Sequence, residues 1–257
     1  MRAMKLFHII ASAQGARLFF KMGNAFGFAA VLASLPMSSA LADEWWVGAY
    51  GGYNTSFDSD VTVKRGGTAI TYRDVSWDGA SFEMPPYWGV RGSYWFDGEY
   101  ANFGVMLDYS HAKVKADLSG TALGADFSHF QFTDGLNLLA LAGLYRLPLT
   151  ETFTPYAGLG VGIAVPDVET TARAGGAFDG MPRTFDYKLA GPVMQVQIGI
   201  DAKITDSISA FAEYKLDYSW NSVDINGGGS LNTNIGTNQF ILGVTYKFNC
   251  YTAEPKH

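Results

Sequence analysis

Polarity alternates with a period of two near the end of this chain, and that feature limits the possible folds most sharply. Over 237–248, Phe240, Leu242, Val244, Tyr246 and Phe248 share one parity, while Gln239, Gly243, Thr245 and Lys247 share the other. Period two is the side-chain repeat of a β-strand. A strand with one greasy and one polar face suits a barrel in lipid. Hydrocarbon cannot satisfy a free backbone edge, so a spanning sheet must close on itself. Seven more segments read as strands: 45–53, 87–96, 102–112, 133–146, 155–165, 188–202 and 208–220. The connections alternate in length. Those at 97–101, 147–154 and 203–207 are short, and those at 54–86, 113–132, 166–187 and 221–236 are long, polar and glycine-rich. Tight turns on one side and long loops on the other are the habit of outer-membrane barrels. The expectation is an all-β fold: an eight-stranded antiparallel transmembrane β-barrel with short periplasmic turns, long extracellular loops and both termini in the periplasm.

The strand at 208–220 predicts the two faces in detail. Ala210, Ala212, Tyr214, Leu216, Tyr218 and Trp220 are expected to face lipid, and Glu213, Lys215, Asp217 and Ser219 the lumen. Arg91, Asp108 and Lys247 join the lumen set by parity. A barrel of eight strands is just wide enough for its side chains to fill it. Those charges must then pair, because an uncompensated buried charge costs roughly 3–5 kcal/mol. A filled lumen argues against a general diffusion pore.

The N-terminal part reads as an export signal over 1–42. Arg17 and Lys21 carry positive charge, 26–33 is apolar, and Ala40-Leu41-Ala42 offers a small-residue cleavage site. The apolar run is far shorter than the ~20 residues a spanning helix needs. The mature barrel is expected over 43–248, followed by a periplasmic tail over 249–257. Cys250, the one cysteine, cannot form an internal disulfide. With a net charge of −6, nothing suggests a nucleic-acid partner.

Gly158-Leu159-Gly160-Val161-Gly162 lacks the Lys-Ser/Thr of a phosphate loop and opens no helix. Inward glycines of a narrow barrel explain it, so no nucleotide cofactor is expected. No His-x-His or His-Glu-x-x-His spacing marks a metal site, and no Gly-x-Ser-x-Gly elbow marks a serine hydrolase. Residues 81–91, 130–137 and 155–167 each join a long loop to a strand at the outer mouth. They place Glu83, Asp134 and Asp167 at one end of the barrel, with His111 ending its strand at the same rim. Strict alternation points His111 toward lipid, on the parity of Leu107 and Tyr109.

These stretches, together with Tyr109-Ser110-His111-Ala112-Lys113-Val114 and Tyr218-Ser219-Trp220-Asn221, resemble the bacterial outer-membrane lipid A oxidase family over roughly 45–248. The resemblance implies O2-dependent oxidation of the proximal glucosamine of lipid A to 2-aminogluconate, with release of hydrogen peroxide. The substrate would lack its 1-phosphate, since oxidation needs a free anomeric hydroxyl. The expected partners are lipid A, or lipopolysaccharide, and the outer membrane. Triplet O2 reacts poorly with closed-shell sugars, so a divalent metal ion is the expected cofactor. Glu83, Asp134, His111 and Asp167 are the candidate bases or ligands, and Lys113 and Arg91 the candidate phosphate contacts. Two other readings stay open: a non-enzymatic small barrel of the OmpA, OmpX or OmpW kind, and another lipid A modifier such as a deacylase.

Overall fold

The computed structural model describes residues 44–132 and 135–249. The expected signal segment, Cys250, the tail beyond it and Asp134 lie outside the described residues. Among the described residues there are fourteen strands, where eight were predicted. They are β1 (Glu44–Ser56), β2 (Ser59–Arg65), β3 (Thr68–Val75), β4 (Trp77–Asp78), β5 (Trp88–Trp95), β6 (Phe103–His111), β7 (Val114–Ala116), β8 (Phe127–Phe132), β9 (Leu136–Arg146), β10 (Phe153–Ala172), β11 (Thr184–Tyr187), β12 (Gly191–Lys203), β13 (Ile208–Ile225) and β14 (Gly229–Asn249). A short helix, α1 (Ala122–Asp126), precedes β8 and is capped by the Thr121 hydroxyl, which accepts from the Gly124 N–H.

The long strands form one antiparallel ladder. β1 pairs with β5, then β6, β9, β10, β12, β13 and β14 follow, and β14 pairs back onto β1. The cycle leaves no free edge, as hydrocarbon requires. Each strand of the cycle overlaps one predicted segment. The additional strands come from segments read as loops. β2, β3, β4, β7, β8 and β11 stand above the outer mouth, where β10, β13 and β14 outrun the barrel to meet them. The result is a folded cap.

Along β14 the membrane band is plain. Phe240, Leu242, Val244, Tyr246 and Phe248 point outward and are exposed, over nine residues. That is the length of a tilted spanning strand, about 9–11 residues. Aromatic pairs mark both band edges: Phe103 with Tyr145 and Tyr246 with Phe248 below, Trp88 with Tyr109 and Tyr218 with Trp220 above. Such girdles suit rings that are apolar in body and polar at one tip. Trp45 lies in the lower girdle against Tyr94, whereas Trp46 turns inward onto Trp95.

Inside the band, the expected charges pair. Arg91 bonds Glu213 at 2.7 Å and Asp108 at 3.1 Å, and Lys215 bonds Asp108 at 2.6 Å. Tyr50 accepts from Lys215 and donates to Asp108, while Tyr156 donates to Glu213. Gln239 bonds Asp217 and accepts from Tyr87. Lower down, Lys247 meets Asp201 at 2.8 Å and Arg146 meets Glu44 at 2.6 Å. Glycines let the neighbouring strands close on this filling. A Cβ at Gly158 would stand 2.6 Å from Leu144 Cδ2 and 2.8 Å from Gln197 Nε2. A lumen cavity beside Arg91, Trp46 and Trp95 measures about 20 Å³, room for roughly one water.

Above the band, polarity inverts. On β13 the inward side chains change from Glu213, Lys215 and Asp217 to Val223 and Ile225, and the outward ones from Tyr218 and Trp220 to Ser222 and Asp224. On β14, Leu231 and Ile235 turn inward while Asn234 is exposed. These residues join Val61, Val63, Trp77, Phe127, Phe130, Phe132 and Phe178 in the apolar core of the cap.

Candidate functional site

The outward face at the outer rim holds a polar cluster where lipid-facing parity would call for apolar residues. Trp88 of β5 and His111 of β6 are cross-strand partners with stacked rings, centroids 5.9 Å apart. Asn137 of β9 continues the same row. Its Oδ1 accepts from the Tyr109 hydroxyl at 2.7 Å and lies 3.0 Å from His111 Nδ1. Its Nδ2 donates to the carbonyls of Gly135 and Val165, each at 3.3 Å. Those two carbonyls fix which end of the amide is which, so the end facing His111 is an acceptor. His111 Nδ1 therefore donates to Asn137 Oδ1.

Gly135 makes this arrangement possible. Its φ is +99°, and a Cβ there would stand 2.4 Å from His111 Nδ1 and 2.7 Å from Asn137 Oδ1. The Gly135 carbonyl also accepts from the Asp167 backbone N–H at 3.0 Å. Asp167, buried on the same outward face of β10, thus joins the surroundings of His111 and Asn137 and lies opposite Tyr187 of β11.

Beside this cluster is a fixed loop. Ser81 exchanges hydrogen bonds with Asn54, whose Nδ2 donates to the Lys113 carbonyl, and Lys113 Nζ donates to Met84 O at 2.6 Å. The loop so held presents Phe82 and Met84 at 78 % and 83 % exposure, with Phe82 stacked on Tyr53 at the rim. An exposed apolar tip on an anchored loop fits the lipid interface.

The predicted residues fall into three groups. His111 and Asp167 come together around Gly135. Glu83 and Lys113 belong to the neighbouring loop, where Glu83 faces Lys115 at 3.8 Å and Lys113 is buried under Met84. Arg91 requires correction: the expected phosphate contact lies mid-barrel, 6 % exposed, its guanidinium held between Glu213 and Asp108. Asn137, Tyr109 and Trp88 were missed as site residues. The signal was present in Asn137, a polar residue on the outward parity of Leu139 and Leu141. Among the described residues no three His, Cys, Asp or Glu side chains converge to hold a metal ion.

A closed antiparallel ladder, a greasy outer band and a salt-bridged interior define an outer-membrane β-barrel. The chain belongs to the outer membrane protein β-barrel domain family, whose model matches residues 27–248. It resides in the outer membrane. Its fold is similar to that of a major outer membrane protein from Thermus thermophilus (14% identity, covering 81% of this chain and 100% of that one, TM-score 0.46). Neisserial surface protein A is also similar (14% identity, 79% and 97% covered, TM-score 0.41). So is the attachment invasion locus protein Ail of Yersinia pestis (13%, 81% and 100%, TM-score 0.36). All three are too distant to carry a function across. No curated protein sequence matches the chain.

Proposed function

We propose that this protein is a lipid A oxidase whose site is the outer-rim cluster, carried by a barrel of eight membrane-spanning strands. The supporting observation is the His111–Asn137–Tyr109 cluster on the outward wall, directly above the apolar band. The filled lumen turns attention to that wall, and the sequence resemblance supplies the reaction. In the proposed step, a base of the rim cluster takes the proton of the anomeric hydroxyl while C1 gives up its hydrogen and two electrons. O2 receives both electrons and two protons and leaves as hydrogen peroxide. The sugar becomes a lactone, and addition of water opens it to 2-aminogluconate, a net gain of one oxygen. Asp167 and Glu83 are the proposed supporting carboxylates, and a divalent metal ion the proposed partner of O2.

Mass spectrometry of lipid A from cells that make the 1-dephosphorylated form tests the proposal. The wild-type protein should add one oxygen. His111→Ala should abolish that gain while the barrel stays folded and heat-modifiable on gels. Chelation and metal return test the cofactor. An acyl-sized loss would mark a deacylase instead. Unchanged lipid A would favour a non-enzymatic surface barrel, a reading that the filled lumen and folded cap also suit.

A further inference from the structure

The outward face of β10 does not end at the rim. Val165, level with Asn137, is followed on the same parity by Asp167 and Glu169. At about 3.3 Å per residue, Glu169 stands about 13 Å further along the strand, away from the membrane. There it enters a row that crosses the cap sheet: Asp78 of β4, Lys115 of β7, Gln131 of β8, Glu169 of β10 and Phe185 of β11 are successive cross-strand partners. The opposite face of this sheet carries Val114, Phe130, Phe132 and Val168 into the apolar core of the cap. The row is thus fixed from behind. Glu169 is further held by His129 at 2.8 Å and Gln131 at 3.2 Å, and the His129 ring stacks on Phe185.

Between β7 and β8 the surface is concave. The two strands pair only at Val114–Phe132 and Lys115–Gln131, and then diverge. The opening is a groove of about 460 Å³ lined by Asp78, Lys115, Asp117, Ser128, His129 and Gln131, with Trp77 and Phe130 at its floor. Its lining mixes carboxylates with ammonium, amide, hydroxyl and imidazole groups. A bare phosphate would call for cations alone. Sugar hydroxyls both donate and accept, and so match a mixed set.

We propose that this groove binds the saccharide of lipopolysaccharide, so that the rim site acts on lipid A still bearing its core sugars. The inference rests on the rim being a lipid A site. A lipid with its acyl chains on the apolar band and its glucosamine beside His111 must send its sugars away from the membrane. On this wall, that direction leads along β10 to the groove.

The test uses the full chain refolded in detergent micelles and, as probe, core oligosaccharide released from lipopolysaccharide by mild acid and freed of lipid A. Titration followed by amide NMR should give saturable shifts confined to β4, β7 and β8. Lys115→Glu combined with Gln131→Ala should weaken binding by roughly tenfold or more with heat-modifiability unchanged. Saturable binding that the double variant loses supports the groove whether or not any lipid A is oxidised. No saturable binding, or binding that the double variant retains, overturns it even if oxidation is observed. Equal oxidation of core-less and core-bearing lipid A by the wild type would overturn the substrate assignment.

Discussion

The barrel and its cap are built from continuous strands yet obey opposite rules. In the band, β13 points Tyr218 and Trp220 outward and Lys215 and Asp217 inward. A few residues later the same strand points Ser222 and Asp224 outward and Val223 and Ile225 inward. The backbone ladder does not change, because β13 pairs with β14 without a break from Ile208 to Ile225. What changes is the solvent. Against lipid, burial inside offers no hydrophobic gain, and the interior is held by paired charges and hydrogen bonds. Against water, the ordinary rule returns and apolar area goes inside, at roughly 25 cal/mol per Å². The inversion therefore locates the outer membrane surface within the chain, near Trp220 on β13 and its cross-strand partner Asn234 on β14. The His111–Asn137 cluster lies buried at this boundary.

The strongest challenge to this contrast removes a charge from the barrel interior. Arg91→Ala strands Glu213 and Asp108, and should destabilise the barrel by roughly 3–5 kcal/mol. Equilibrium unfolding in detergent measures it. A loss below about 1 kcal/mol would show that the interior network does not hold the barrel together. Next in size is a paired test on one strand and one face. Val244→Arg, mid-band on β14, should cost roughly 2–4 kcal/mol in a bilayer. Asn234→Arg, same parity but at the outer edge of the band, should cost no more than about 1 kcal/mol. Equal costs would erase the proposed membrane boundary. The smallest effect belongs to the cap core. Ile235→Val should cost about 0.5–1.5 kcal/mol, seen as faster proteolysis of the cap while the barrel keeps its heat-modifiable mobility. Loss of the barrel from that change would mean that the two regions fold as one unit.

Much of the barrel was legible because a spanning strand must repeat its pattern for some ten residues against a uniform solvent. Phe240 to Phe248 and Ala210 to Trp220 could be read directly. The cap was not legible. β2 and β3 carry Val61, Val63, Tyr72 and Val75 as short alternations among glycines and polar residues. Their meaning depends on partners far off in sequence, such as Leu231, which pairs with Val63. The same limit applies to the site. His111 could be singled out, and its lipid-facing parity read, from sequence. Asn137 was hidden in a leucine-rich strand, and Arg91 resembled a rim cation until the register set it opposite Asp108.

Alternation and connection length by themselves determined a closed barrel and which residues face lipid, since both are local properties of the backbone under a fixed solvent. Tertiary structure alone decided that the outer loops form an apolar-cored cap. It also decided that His111, Asn137 and Asp167 gather around Gly135, where a positive φ and the lack of a Cβ let three strands approach. Those outcomes depend on long-range register and close contact between distant segments, neither of which a period of two can encode.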